Sequence, residues 1–152
     1  MSRWLRFLVL ALLAALFVAV TVLLARAFTV DGAERTAIED LVQAEARGDA
    51  GGMQAQIPGC AQSPDCRARV QEDAAELQRP GKLLILELNP SAGFSLGSTT
   101  GTARVAWRAG SALPVVQCVR VRRAGNVIQG IHVQLLKISR RISTSSDCPS
   151  SY

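Results

Sequence analysis

The sequence predicts an α+β protein, in which an N-terminal transmembrane helix is followed by three helices packed on a curved four-stranded antiparallel sheet. Three observations lead to this prediction. A long uncharged apolar run opens the chain, apolar residues at helical spacing follow it, and alternation of apolar and polar residues begins after Gly81. Such a change of period from about 3.6 to 2 residues indicates a change from helix to strand. With 152 residues, the chain has room for one domain and one appendage.

The apolar run extends from Phe7 to Ala25 and contains nineteen residues without a charge. At about 1.5 Å per residue, a helix of this length measures about 28 Å, close to the hydrocarbon thickness of a bilayer. Arg3, Trp4 and Arg6 precede it, which favours a cytoplasmic N terminus. The segment Ala25-Arg26-Ala27 also fits a signal-peptidase site, so a cleaved signal peptide is the alternative to a signal-anchor.

These features predict four segments. The N terminus, residues 1–6, is cytoplasmic; residues 7–27 form the transmembrane signal-anchor helix; residues 28–140 form an extracytoplasmic α+β domain; and residues 141–152 form a C-terminal tail. The expected location is the cell membrane, with a single pass and the C-terminal domain on the outer side. The lipid bilayer is therefore the first predicted partner.

Cysteine placement supports export, because all four cysteines follow the apolar run: Cys60, Cys66, Cys118 and Cys148. An even number in a small exported domain predicts disulfides, with three possible connectivities. We favour Cys60 with Cys66, which closes a short loop, and Cys118 with Cys148, which would fasten the tail to the sheet. No CxxC pair occurs and the spacing differs from that of zinc ligands, so neither a metal nor a cofactor is expected.

Three helices are predicted before the strands. The first begins at Asp31, with Glu34 completing a capping box, and ends at Gly48. The second is at most a short helix or turn, stopped by Pro58-Gly59. The third begins after Ser63 as N-cap. Its predicted inward stripe consists of Cys66, Val70, Ala74 and Leu77.

Four strands are predicted within KLLILEL, TARVAWRA, LPVVQCVRVRR and NVIQGIHVQLLKI. Along the first strand, the predicted inward face consists of Leu84, Leu86 and Leu88, with Ile85 and Glu87 on the other face. A three-residue turn at 124–126 would pair Val119 with Ile131 and bring Cys118 opposite His132. The odd-numbered residues of the third strand then form its more apolar face.

A basic outer sheet face is predicted from four arginines at even-numbered strand positions: Arg104, Arg108, Arg120 and Arg122. Such a face is a candidate contact for anionic lipid or an acidic envelope polymer, and the alternative is a solvated face that keeps the domain soluble. Nucleic acid is not an expected partner, because bases need aromatic side chains to stack on. The sheet's only aromatic residue, Trp107, lies on the opposite face.

The sequence offers weak candidates for catalysis. Cys118 and His132 together would resemble a thiol nucleophile with its base, but a disulfide-bonded cysteine cannot act in this way. The helical carboxylates fall on predicted polar sides, where solvation is the ordinary role: Glu39, Asp40, Glu72, Asp73 and Glu76. We therefore predict no catalytic residue and no enzymatic activity.

The order of elements resembles the nuclear transport factor 2-like superfamily, also called cystatin-like or ketosteroid isomerase-like. The similar features are the step Ala46-Arg47-Gly48-Asp49 between the first two helices and the basic hairpin CVRVRRAGNVIQGIHV, within a match that spans Asp31 to Ile138. In particular, the chain is similar to membrane-anchored members encoded by high-GC actinobacteria. The resemblance implies an apolar pocket between helices and sheet. Catalytic relatives project Asp, Tyr or His into that pocket, whereas the single tyrosine here is the terminal Tyr152.

Together these observations predict a membrane-anchored extracytoplasmic module that binds or assembles with an envelope protein and has no catalytic activity. One alternative is a small-molecule-binding pocket protein or an isomerase-like enzyme of the same fold. Another is a binder of anionic envelope surfaces.

Overall fold

The computed structural model describes residues 3–91, 98–126, 130–143 and 146–149. The helices are α1 (Arg3–Ala46), α2 (Ala50–Gln56) and α3 (Pro64–Glu76), with a 3-10 turn at Cys60–Gln62. The strands are β1 (Leu83–Asn89), β2 (Thr99–Ala109), β3 (Val115–Asn126) and β4 (Gly130–Ile138). They form one antiparallel sheet in the order β1-β2-β3-β4. The predicted α+β fold is confirmed.

The apolar N-terminal segment and the first helix of the domain form one continuous helix, α1, of 44 residues. Its apolar part is long enough to cross a membrane, and its most apolar 18-residue window is 0% buried against the rest of the chain. The predicted helix start at Asp31 is therefore wrong, because the backbone is already helical there. Asp31 and Glu34 do not form a capping box; both contact the sheet instead.

The contact between α1 and the sheet is centred on Glu34, which is 0% exposed. Arg123 of β3 donates from Nε to Glu34 Oε2 at 2.8 Å and contacts Asp31 Oδ1 through Nη2, also at 2.8 Å. Ser91, just after β1, donates its backbone N–H to Glu34 Oε1 at 2.7 Å and its hydroxyl to Oε2 at 2.9 Å. Both oxygens of this buried carboxylate are thus satisfied, as a buried charge requires.

A second bond fixes the direction of α1 along the sheet. Gln117 of β3 donates from Nε2 to Glu45 Oε1 at 2.7 Å. Glu34 and Glu45 are about 16 Å apart along the helix, and their partners Arg123 and Gln117 are about 20 Å apart along the strand. α1 therefore runs alongside β3 in the opposite direction.

The core lies between the helices and the inner face of the sheet. The odd-numbered residues of β3 face this core, as predicted: Val115, Gln117, Val119 and Val121 are each at most 1% exposed. Trp107 of β2 is the largest fully buried side chain, and Met53 of α2 is also fully buried. The space between the helices and the central strands is thus filled largely by apolar side chains.

The local features of α2 and α3 agree with the sequence. Asp49 caps α2 by accepting from the Gly52 N–H at 2.8 Å. Ser63 caps α3 by accepting from the Cys66 N–H at 3.3 Å. Residues 70, 74 and 77 of the predicted inward stripe are buried, and Cys66 packs against the core while partly exposed.

Both predicted disulfides are present. Cys60 bonds Cys66, joining the 3-10 turn to α3. Cys118 of β3 bonds Cys148, which fastens the C-terminal tail to the outer face of the sheet. The tail also continues along β3 through a backbone bond from the Ile142 N–H to the Val116 carbonyl at 2.8 Å.

The predicted inward face of β1 is wrong. Leu84 and Leu86 are 42% and 50% exposed, whereas Leu83 and Ile85 pack against the core. A bulge between Ile85 and Glu87 then shifts the pairing with β2, and Leu88 turns inward. An extra residue at a bulge changes which side chains share a face, so simple alternation fails along this strand.

The predicted register of the last hairpin is also wrong. β3 continues through 124–126, the residues assigned to the turn, and Asn126 pairs with Gly130. Residues 127–129 lie outside the described part of the chain. Val119 pairs with Ile138 rather than Ile131, and His132 lies opposite Ala124 rather than Cys118. A bulge between Arg120 and Val121 contributes to the shift.

We expect Arg123→Met to lower the free energy of unfolding by about 3 to 5 kcal/mol, because it leaves the Glu34 carboxylate buried without its cation. Urea denaturation of the full chain in detergent, followed by fluorescence, measures this. Glu34→Gln in the same chain should recover part of the loss. Arg35→Met is the control, since the exposed Arg35–Glu39 pair should contribute at most about 1 kcal/mol. Equal losses in Arg123→Met and Arg35→Met would contradict the assignment.

Candidate functional site

Two carboxylic acids, Glu45 of α1 and Asp73 of α3, are buried beneath the sheet. Their exposed fractions are 0% and 1%. Glu45 lies on the core-facing side of α1, three residues after Val42, and Asp73 follows the buried Val70 at the same spacing. Helical periodicity thus carries both carboxyl groups into the core along with their apolar neighbours.

A chain of hydrogen bonds leads to Glu45 from the centre of the sheet. Trp107 donates its indole N–H to Gln117 Oε1 at 3.0 Å. Gln117 in turn donates from Nε2 to Glu45 Oε1 at 2.7 Å and to the Ser139 carbonyl at 3.2 Å. Within the described part of the chain, Glu45 Oε2 and Asp73 Oδ2 have no hydrogen-bond partner. A buried ionised oxygen without a donor is costly, so these atoms favour the protonated acids.

Burial raises the pKa of Glu45 to about 8, because an apolar surrounding disfavours the charged form. The bond from Gln117 opposes this rise and the nearby Asp73 adds to it. Burial likewise raises the pKa of Asp73 to about 7, opposed by Arg69 and reinforced by Glu72. Near neutral pH, both acids therefore hold a proton to a much larger extent than exposed carboxylic acids do.

Carboxyl groups with displaced pKa values resemble those that enzymes use as general acids or bases. Such a role needs a path for substrate. Two grooves are described: one of about 230 Å³ beside the Cys60–Cys66 disulfide and one of about 570 Å³ between α1 and β1. Neither Glu45 nor Asp73 lines either groove. The carboxyl pair is thus positioned to influence stability and packing rather than a ligand in those grooves.

The four arginines predicted on the outer sheet face lie at even-numbered positions of β2 and β3. The pairing of the two strands places these positions on the same face of the sheet. Arg104 lies opposite Cys118, and Arg120 lies between Thr102 and Lys137. Arg122 lies farther toward the end of β3 and is exposed, whereas Arg108 is half-buried at the opposite end of β2. The register therefore gathers basic residues on one face and spreads them along its length.

This basic face is interrupted at its middle. Cys118, between the arginines, is 0% exposed and bonded to Cys148, so the tail and its Asp147 cross the face there. Arg104 also contacts Glu87 of β1, with 3.5 Å between Nη1 and Oε2. The face is thus divided, and its exposed basic end lies around Arg122.

The catalytic candidates considered from the sequence are not brought together. His132 is exposed and lies opposite Ala124, away from the disulfide-bonded Cys118. Asp73 lies in the core, so its predicted position on a polar side is wrong. Glu72 matches that prediction better, because it pairs with Arg69 and Arg140 near the surface.

The buried carboxyl pair had a detectable signal in the sequence. Glu45 continues the apolar spacing of α1, and Asp73 lies three residues after Val70 of the predicted stripe of α3. A carboxylate at a position that helical spacing assigns to the core has two interpretations. Either the carboxyl group is buried, or the predicted core-facing side of the helix is wrong. The bond from Gln117 to Glu45 depends on the tertiary structure and could not be read from periodicity.

Comparisons of the chain with protein-family models, with curated proteins and with solved structures found no match.

We expect the domain to lose stability as pH rises from about 4 through 8. The sign follows from the raised pKa values of Glu45 and Asp73: the folded state holds protons that the unfolded state releases at lower pH. Chemical denaturation at several pH values should show a decrease of at least about 2 kcal/mol over this range.

In the double variant Glu45→Gln with Asp73→Asn, neither position can bind or release a proton. The free energy of unfolding should therefore change much less with pH than it does in the wild type. Glu39→Gln, at a more exposed position of α1, is the matched control and should leave the profile unchanged. Stability that rises with pH, or an unchanged slope in the double variant, would contradict the assignment.

Proposed function

We propose that the protein is a membrane-anchored extracytoplasmic module that binds or assembles with an envelope protein and does not catalyse a reaction. The single observation that carries this proposal is the continuity of α1 from its apolar segment into the core of the domain. A continuous helix transmits the position of the anchor to the domain without a flexible linker. The domain is then held at one height and in one orientation above the bilayer.

The direction of the strands determines which end of the sheet lies near the bilayer. Asp31 follows the end of the apolar run at Ala25 by six residues, or about 9 Å of helix. Arg123, which binds Asp31, is three residues from the end of β3 at Asn126, or about 10 Å of strand. Because β3 runs opposite to α1, its end points toward the bilayer and reaches approximately its surface.

With α1 spanning the bilayer, the sheet stands roughly along the membrane normal and its edges face sideways. Partners embedded in the same membrane would approach those edges laterally. Tethering raises the effective concentration of such partners, and a fixed orientation lowers the entropic cost of their association. These are advantages for assembly rather than for turnover of a soluble substrate.

Two further observations support the anchor and its exported domain. The Ala25-Arg26-Ala27 segment lies inside a continuous helix, whereas signal peptidase cleaves after an apolar segment that is not part of the folded domain. The two disulfides are typical of proteins outside the cytoplasm. The sequence resemblance to the nuclear transport factor 2-like superfamily, many of whose members act in binding or assembly, is consistent with this proposed function.

Each alternative function has its own support. The raised pKa values of Glu45 and Asp73 support a pocket protein or isomerase-like enzyme. The exposed basic end around Arg122 supports binding to anionic surfaces. The core filled by Trp107 and its neighbours, and the tail across the basic face, favour the assembly module over both.

The test is to interrupt helix continuity without removing the anchor. Six Gly-Ser residues inserted between Ala27 and Phe28 should leave the chain membrane-bound and folded but reduce its recovery in a larger complex at least about fivefold. Cross-linking in native membranes, followed by native electrophoresis, measures this recovery. The same insertion after Leu113, in an exposed turn, is the matched control.

Other outcomes separate the alternatives. A chain that migrates as a monomer with or without the insertion would contradict the assembly proposal. If the Glu45→Gln variant loses the complex while the insertion variant retains it, the result would favour the pocket protein or isomerase-like enzyme. Association of the purified domain with anionic vesicles that weakens with salt would favour the surface binder.

A further inference from the structure

Strand β1 has the composition of an interior strand but lies at the edge of the sheet. Five of its seven residues are Leu or Ile, and they occupy both of its faces. The inward residues Leu83 and Ile85 are only partly buried, and the outward Leu84 and Leu86 are 42% and 50% exposed. Strands with apolar residues on both faces normally have both faces covered. The outward face of β1 is left largely exposed here.

The free edge of β1 opens onto a groove. Among the described residues, β1 pairs with β2 alone, so its other edge presents unpaired backbone groups, a template for another strand. On the helix side, a groove of about 570 Å³ separates this edge from α1. An extended segment added to β1 would cover the groove with one row of side chains and contact Leu84 and Leu86 with the other.

The groove favours acidic side chains in the row that covers it. Arg47 and Lys82 are exposed at its wall, and Arg79 also lines it. On the acidic side, Glu39 is paired with Arg35, which leaves Asp40 as the acidic residue outside that pair. The outer row meets leucines and therefore favours apolar side chains. The complementary segment alternates acidic and apolar residues.

A second copy of the chain does not fit this edge by antiparallel pairing. β1 runs in the same direction as β3, opposite to α1, and hence toward the end from which the anchor leaves. An antiparallel copy of β1 would run the other way, and its anchor would leave from the opposite end. Two anchors in one bilayer exclude that arrangement. The other edge strand, β4, of a second copy could pair antiparallel with both anchors on one side, but Gly130–Ile138 contains no acidic side chain. The occupant therefore belongs to a different protein.

We propose that β1 accepts a fifth, antiparallel strand from a partner protein, a segment that alternates acidic with apolar residues. This inference rests on the proposed assembly function and names its contact surface. Backbone bonds to the edge of β1 supply affinity. Arg47 and Lys82 select the acidic row, and Leu84 and Leu86 select the apolar row.

The test uses the full chain in nanodiscs and a blocked heptapeptide of alternating valine and glutamate. At saturation, hydrogen exchange of the β1 amides should slow at least about tenfold. A peptide with lysine in place of glutamate is the matched probe and should bind at least about tenfold more weakly. Lys82→Glu combined with Arg47→Glu should reverse this preference, a result that a purely apolar contact would not give.

Leu84→Lys combined with Leu86→Lys should remove the protection, since lysines on an edge strand block pairing. Leu113→Lys, at a position that is 77% exposed, is the control and should retain protection. Equal protection by both peptides, or none by either, would overturn the proposal. So would β1 amides that are protected without peptide, whether by another part of the chain or by self-association that rises with concentration. The anchor insertion leaves β1 unchanged, so the two proposals can fail separately.

Discussion

The buried ion pair between Glu34 and Arg123 fixes the position of α1 on the sheet. Without a contact to the sheet, α1 would be a long helix whose domain-side half could rotate or slide against the strands. Arg123 and Ser91 bind both oxygens of Glu34 and thereby select one turn and one face of the helix. Buried ion pairs often contribute little net stability, because desolvation offsets their attraction. Their effect here is better described as specificity, since alternative positions of α1 would leave the Glu34 carboxylate buried and unpaired.

The second polar contact, from Gln117 to Glu45, sets the angle between α1 and the strands, which a single contact would leave free. The two contacts differ in charge. Glu34 binds the cation of Arg123, whereas Glu45 has an amide partner and a raised pKa. The two contacts align α1 with β3, and the antiparallel order of the strands then determines which end of the sheet lies near the anchor. Among the described residues the outer edge of β1 is unpaired, and in the proposed membrane orientation this edge faces sideways. A buried contact in the core thus defines the surface that a membrane partner would meet.

Local signals in the sequence predicted local structure well. Ser63 as the cap of α3, the Cys60–Cys66 disulfide and the inward odd-numbered residues of β3 each depend on a few neighbouring residues or on parity. The Cys118–Cys148 disulfide joins more distant residues and was predicted from the number of cysteines and their places in the chain. Prediction failed where a distant partner decided the outcome. The Asp31–Glu34 spacing fits a capping box, but the actual partner is Arg123, 89 residues from Glu34. The bulge in β1 changed which of its residues face the core, and the bulge beside Arg120 shifted the pairing of β3 with β4. Neither could be predicted, because no residue type marks a bulge uniquely. The bond from Gln117 to Glu45 became evident only once α1 and β3 were assembled.

The apolar segment and the domain share one continuous helix, which Glu34 and Arg123 hold against the sheet. Its rigidity can be tested by hydrogen exchange of the backbone amides between Ala25 and Ile38, measured on the full chain in nanodiscs. We expect continuous protection across the junction, with amides at least about a hundredfold slower than in an unstructured chain. Amides at residues 27–31 that exchange as fast as an unstructured peptide would show a flexible linker there and would rule out a rigid connection.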